Sequence, residues 1–576
     1  MHYVKTNLLL LAGLIDLVLS RPGQTVFSSS GTEIMTESQW NFDDLPSVNS
    51  TSHLVFGTVD SLLQHWPNTR YRNGMYHGHT IIPATIPVGT LLYHGTSREI
   101  VPDVPEWVAT DPEHSFLFCR TLSKSSGCWQ LTMVTSRPLK VLHFDGSSAA
   151  KMLGGPMDTQ DLTLWGKVRP EWTFREKERI VELCKWGQPY GLDGFLRMEM
   201  NFEIMLCDFS SGVQTVSFLN LAPTRGGPPK WNPPPKEDLR AQLSPSHPPP
   251  SSPMFYATVY RVMESGSWHN HFPGDTRIEL DYSRLISLYD TATFPSLQSS
   301  RFNKKRLEHR LDGISGDDAN MLQARIKKAL TGNAQGSGVN WKVLMRVITN
   351  RYAERLEVLQ YILNSTDPAI RDANSTVQVA HRHVRSILTP YTLYSATPPT
   401  NNNDLPKGGY PWASPVFELC ATTHTTYMEG AEFLSLLTPS EVLILDSIKG
   451  VTKEICRVLV GIWAEGMEYG LADPTDKKPP TAFEHSAEII GRWSKKVENL
   501  MAWLDWSHWL RCRPACSYEE MCYLPTWPFL YSKRPFPKAD YSQDIDGEGP
   551  DESNWADPQP MCIRRVEPFV DEEIMQ

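Results

Sequence analysis

Beyond residue 20 this sequence holds no apolar run long enough to cross a bilayer, which takes about 20 consecutive apolar residues, so no later segment is expected to span a membrane. Basic residues are in short supply: 55 Lys and Arg face 65 Asp and Glu, a formal net charge of −10. No basic stripe offsets that balance, which argues against nucleic acid and anionic membranes as partners. The one basic run, Arg301 to Arg310 ("RFNKKRLEHR"), reads as a solvated helix face. No internal repeat is visible. No Gly-x-Ser-x-Gly elbow accompanies His424 in "CATTHTTYM" (420–428), so a serine hydrolase lacks its nucleophile turn, and His424 reads as a buried helix histidine.

What is present begins with a secretory pattern. Lys5, an apolar run from Leu8 to Leu19 broken only by Gly13 and Asp16, and Ser20 before Arg21 and Pro22 have the three-part layout of a cleaved signal peptide over residues 1–20. Export to the extracellular space is therefore expected. Three sequons, at Asn49, Asn364 and Asn374, offer glycan acceptors. Ten cysteines are an even set suited to disulfides in an oxidising compartment. Cys512, Cys516 and Cys522 form the densest cluster, and only His508 lies near enough in sequence to complete a zinc set. A disulfide-braced loop without metal is the expectation there.

Composition divides the chain. In residues 21–222 short apolar runs alternate with turn residues, as in "WQLTMV" (129–134), "LKVLHF" (139–144) and "FEIMLCDF" (202–209), the signature of strands in an α+β domain. Residues 223–253 are too rich in proline for helix or sheet and read as an extended linker. Over 254–532 the period lengthens: Trp341, Leu344, Ile348, Tyr352, Leu356, Leu359 and Leu363 recur every three or four residues, one stripe along one helix. Further helical stretches are predicted at about 430–470 and 483–510. The Pro-, Asp- and Glu-rich residues 533–576 have little to bury and read as disordered.

The chemistry-bearing residues lie in the first half. "GTLLYHGTS" (89–97) delivers His94 to the end of a strand and follows it at once with Gly95, a residue that lets another backbone or a ligand come close. "EWVATDPEHSFLF" (106–118) is a second short strand, with Trp107 near its start, leading into a helix near Asp111-Pro112. In "GLDGFLRMEMNFEIMLCDF" (191–209) alternation sets Met200, Phe202, Ile204 and Leu206 on one face and Asn201 and Glu203 on the other. A carboxylate in so apolar a strand needs a partner or a wet cleft.

The ordered elements "YHGT" (93–96), "WVATDPEHS" (107–115) and "NFEIMLCD" (201–208) resemble the His-Tyr-Glu branch of the ADP-ribosyltransferases, with Trp where that branch carries Tyr. The resemblance implies an α+β domain of split antiparallel sheets and NAD as substrate. It implies that His94 bonds the adenosine ribose, Gly95 contacts the nicotinamide amide through its backbone, Trp107 stacks on nicotinamide, Ser115 lines that pocket and Glu203 is catalytic at the scissile ribose. A carboxylate there stabilises an oxocarbenium-like state. The acceptor of ADP-ribose is left open. The chain also resembles a group of secreted proteins of filamentous fungi that share a segment like Trp186 to Phe195 ("WGQPYGLDGF"), a likeness that supplies no chemistry. Two other readings compete. One is a non-catalytic secreted interaction protein with a degenerate transferase-like core. The other is a hydrolase using Glu199 and Glu203, whose strand spacing of about 13 Å exceeds that of the usual glycosidase pair.

Overall fold

A computed structural model describes residues 40–64, 78–116, 118–119, 127–149, 155–198, 201–221, 264–265, 273–333, 335–365, 372–398, 409–471, 485–523 and 560–566. The expected signal peptide, the Pro-rich linker and most of the acidic tail lie outside them, as does Glu199.

The β-branched and aromatic runs of the first half form a ten-stranded sheet with two short strands added from beyond the linker: β1 (Thr80–Ile86), β2 (Leu91–Thr96), β3 (Glu106–Ala109), β4 (Trp129–Thr135), β5 (Leu139–Phe144), β6 (Gly194–Met198), β7 (Phe202–Leu206), β8 (Val213–Asn220), β9 (Glu279–Leu280) and β10 (Ile286–Ser287). The order is β10-β1-β5-β6-β7-β3-β2-β4-β8, with β9 also on β1. The β5–β6 pair is parallel, and the other pairs in this sheet are antiparallel. One seam is nearly unstitched. Strands β2 and β3 share the single register pair Tyr93↔Ala109, while β2 keeps six register pairs with β4 and β3 keeps four with β7. Past Tyr93 the two strands part, and the sheet splits there.

Both faces of the sheet are covered at its centre, which explains why β7 is buried along its whole length, while the edge strand β8 is mostly exposed. Helices α3 (Asp158–Trp165), α4 (Glu176–Gly187) and α5 (Gly316–Thr331) place Leu162, Ile180, Leu183, Leu322 and Ile326 against Leu142, Phe195 and Met205. On the other face Phe202, Ile204 and Leu206 join Leu92, Val108 and Leu131, together with Met521 and Ile563. The last two come from β11 (Glu520–Tyr523) and β12 (Met561–Arg564), a two-stranded sheet of its own. Strand β12 lies inside the stretch read as disordered. Its order has a covalent cause: Cys562 is bonded to Cys516, and Cys512 to Cys522. All ten cysteines are paired, the others as Cys119–Cys128, Cys184–Cys207 and Cys420–Cys456.

The second half is helical, as the periodicity predicts. Helix α6 (Trp341–Asn364) starts where Asn340 accepts from the Val343 amide at 3.1 Å, and it buries Trp341, Ile348, Tyr352, Leu356, Leu359 and Leu363. Helices α7 (Ala373–Leu388), α8 (Ser414–Thr422), α9 (Pro439–Glu468) and α10 (Ser486–Leu504) complete the bundle. The central α9 opens on Thr438 and Glu441, which form a capping box with Pro at the first helical position. Elements are exchanged across the linker. Helix α1 (Ser52–Ser61) precedes the sheet but packs Leu54, Val55, Phe56 and Val59 into the helical core, while β9 and β10 follow the linker but pair with β1. Among the described residues no helix is long and apolar enough to cross a membrane.

The basic run is not a solvated helix face. It folds as turns and a short 3-10 segment (Arg306–Glu308), and it buries Arg301, Arg306 and His309.

Candidate functional site

The split between β2 and β3 opens into a cavity of about 320 Å³ lined by Tyr93, His94, Gly95, Glu106, Trp107, Ser115, Phe118, Lys177 and Glu203, among others. All five residues singled out in the sequence for substrate binding and catalysis are therefore brought together. Strand β2 supplies His94 and Gly95, β3 supplies Trp107, β7 supplies Glu203, and Ser115 comes from the short helix α2 (Pro112–Phe116). Disulfides brace two sides. Cys119–Cys128 ties the segment after α2 to the start of β4, and Cys184–Cys207 ties α4 to the end of β7.

Gly95 has a steric reason to be glycine. A Cβ there would sit 2.0 Å from the Ser115 carbonyl oxygen and 3.1 Å from the Cys119 nitrogen, so only a residue without a side chain lets α2 lie against β2. His94 is nearly buried, with Phe209 edge-on at 5.6 Å. Its Nδ1 lies 2.6 Å from the Trp107 carbonyl. A carbonyl only accepts, so Nδ1 carries the proton and Nε2 is left as an acceptor. Burial lowers the His94 pKa, against a smaller upward pull from the Trp107 carbonyl and Glu106.

Glu203 is almost fully buried and bonded on both oxygens: Arg197 Nε donates to Oε2 at 2.9 Å, and His114 Nε2 lies 3.0 Å from Oε1. Burial alone would raise its pKa, but the Arg197 charge and the adjacent His114 override burial and hold the carboxyl well below the usual carboxylate range. The Arg197 guanidinium also reaches Glu176 at 2.8 Å and stacks on the Trp107 indole, 3.3 Å from its centroid. One face of that ring is thus taken by an intramolecular cation. The opposite face and the edge of the half-buried indole are what a ligand has to work with.

Ser115 Oγ donates to the Pro112 carbonyl at 2.9 Å and accepts from Gln130 Nε2 at 2.9 Å. Its proton is committed to a backbone oxygen, so it is a lining polar group and not an activated nucleophile. Asn201 Nδ2 bonds Ser265 Oγ at 3.0 Å and is not among the lining residues. The loop before α2 is pinned by Arg277, which bridges Asp111 at 2.9 Å and Asp275 at 2.7 Å. His424 lies in the turn after α8, half-buried, rather than within a helix, and it does not line the cavity.

Sequence reasoning missed His114, Arg197, Tyr93 and Lys177. His114 stood inside the quoted "DPEHS", one residue before Ser115, and its contact with β7 depends on the tertiary path. Arg197 sits directly opposite Glu203 in the β6–β7 register. Opposite charges six residues apart on neighbouring strands were the available signal, usable only with the turn between those strands in hand.

Comparison with known proteins finds similarity to one family model and to two yeast proteins. Residues 47–132 and 124–226 match the family described as the YPL277C N-terminal domain, a stretch that contains every lining residue of the cavity. The chain is homologous to two proteins of Saccharomyces cerevisiae. It is 26% identical over 556 residues to the uncharacterized protein YOR389W, covering 84% of this chain and 82% of that one. It is 33% identical over 225 residues to the uncharacterized protein YPL277C, covering 31% of this chain and 44% of that one. No solved structure gives a significant match.

Proposed function

We propose that the cleft between β2 and β3 takes the nicotinamide end of NAD and that this is a secreted, ADP-ribosyltransferase-like protein acting on NAD as substrate. The observation that carries the reading is the convergence of His94, Gly95, Trp107, Ser115 and Glu203 on one cavity, from four elements that span more than a hundred residues of chain. Their chemistry fits. A neutral imidazole with a free-facing acceptor suits a ribose hydroxyl, an indole suits a flat pyridine amide, and among the described residues strand β2 beyond Tyr93 has no ladder partner on its β3 side. An ionised carboxylate suits a ribosyl cation. Lys177 adds a cation to the lining, of the sign a pyrophosphate would need. Five disulfides support passage through an oxidising compartment.

One observation favours a second reading, a nucleotide-binding core without turnover. Both Glu203 oxygens are engaged, and the nearest charge to its carboxylate is the Arg197 cation. A nicotinamide-release assay run beside calorimetry separates the two. If Glu203 is catalytic, Glu203→Gln leaves NAD binding nearly intact and slows release roughly a hundredfold or more. Binding by the wild type with no release supports the second reading, and no binding rejects both.

A further inference from the structure

The basic run that reads as a solvated face is instead walled in between the sheet and the helical core. Arg301 is fully buried, and Arg306, His309 and His53 are nearly so. Arg301 lies 4.6 Å over the Tyr289 ring, whose neighbour His79 stacks on it at 4.3 Å. A guanidinium has five N–H donors. Arg301 donates one, from Nη2, to the Leu288 carbonyl at 2.9 Å, while its Nε and Nη1 find no acceptor and no ion pair among the described residues. Arg306 is little better served. Its contacts to Asp505 and Thr58 are both 3.4 Å, it also bonds the Tyr289 hydroxyl, and its Nε has no acceptor among the described residues.

Tyr289 joins the group: Arg301 lies over its ring at 4.6 Å, His309 meets the same ring edge-on at 6.0 Å, and the Arg306 charge acts on both Tyr289 and His309. The carboxylates facing it are Asp505, against Arg306, and Asp145, which acts on Tyr289 and already accepts from the Thr80 amide at 2.8 Å. Burial drives the histidines toward neutrality, His53 down to about 3 and His309 well below its ordinary value, so neither adds a competing charge near neutral pH. Burial also pulls Arg301 down to about 10, which still leaves it charged at neutral pH. A buried cation needs a counter-charge as well as hydrogen-bond acceptors, because neutral acceptors alone do not repay its desolvation.

We propose that Arg301 and Arg306, enclosed by His53, Tyr289 and His309, hold one small inorganic anion of about chloride size. The ion ties the end of β10 to α1 and to the C-terminus of α10, and so fastens the sheet to the helical core. It accepts from the Arg301 donors that the chain leaves without acceptors. A single negative charge matches Arg301, which has no ion pair among the described residues, and the full burial of Arg301 favours an ion small enough to be enclosed.

The test uses the full secreted chain, with bromide and chloride as probes and gluconate as the excluded control at equal ionic strength. The expected result is a melting midpoint that rises saturably by a few degrees with chloride and bromide and not with gluconate. Arg301→Met fills the space with an apolar side chain, and its midpoint should be indifferent to halide. Crystals of the wild type grown in bromide should show an anomalous peak within hydrogen-bond distance of Arg301, a readout that stands even if the variant does not fold. A halide-independent midpoint, equal response of wild type and Arg301→Met, or no bromide beside Arg301 would each overturn the proposal.

Discussion

Two residues of the cleft are both shifted down in pKa, with opposite consequences for charge: Glu203 is held ionised and His94 neutral. Glu203 is held well below the ordinary carboxylate range by Arg197 and His114 against the opposing effect of burial, so it stays ionised through mild acid. His94 is shifted down by burial and is neutral near pH 7. On acidification its protonation removes the Nε2 acceptor. NAD affinity is therefore expected to be flat around neutrality and to fall only below the ordinary histidine value of about 6.5, and a calorimetric pH series checks it. The stability sign is the same for His94: the unfolded state takes up its proton first, so the fold loses stability as pH drops below that value. For Glu203 the ion pair's contribution is present above the unfolded carboxyl pKa of about 4.3 and fades as pH falls toward its folded value. Gly95→Ala tests the close approach of α2. With a Cβ due 2.0 Å from the Ser115 carbonyl, the strand and helix must move apart, at a cost of about 1–3 kcal/mol or more, read as a lower denaturation midpoint. Trp107→Ala is expected to weaken NAD binding by about 1 kcal/mol or somewhat more, and it also strips Arg197 of its stacking partner. A titration that leaves affinity unchanged contradicts the indole's place in the site.

At the scale of elements, the order of strands and helices is the product of local pattern, and that part was legible. The alternation of Phe202, Ile204 and Leu206 against Glu203 and the stripe from Trp341 to Leu363 each appear where the period puts them. Pairing across long separations was not legible. No local signal tells Ile286 that its partner is Ile81, or tells α1 that its apolar face belongs beside α9 and α10 rather than on the sheet. The basic run was misread for the same reason: a cluster of charges normally faces water, and only the tertiary path encloses Arg301 and Arg306. The exchange of elements has a testable consequence. Residues 254–535 expressed alone should show a helical circular dichroism spectrum, but without α1 the core lacks Leu54, Val55, Phe56 and Val59. Melting should be broad and weakly cooperative, and should sharpen when residues 40–64 are restored to the chain. A fragment that melts as sharply as the whole protein contradicts the packing of α1. Order in β12 likewise depends on a bond far along the chain. Mapping without reductant should recover peptides linked Cys516–Cys562 and Cys512–Cys522, and other pairings would displace the β11–β12 pair whose Met521 and Ile563 join the core of that sheet face.

For the molecule as a whole, a sheet that splits at one seam, a helical body that borrows a helix from before the sheet, and five disulfides surround the cleft. The match to the YPL277C N-terminal domain falls on residues 47–226, which carry that cleft, while the similarity to YOR389W covers 84% of the chain and so runs into the helical body. The central claim is that the cleft recognises NAD. A calorimetric titration of the full-length chain with NAD, run in parallel on His94→Ala, tests it most directly. Saturable one-to-one binding by the wild type, weakened at least severalfold in the variant, is the expected result. Absence of binding by a correctly folded wild type, or equal affinity in both proteins, would contradict it.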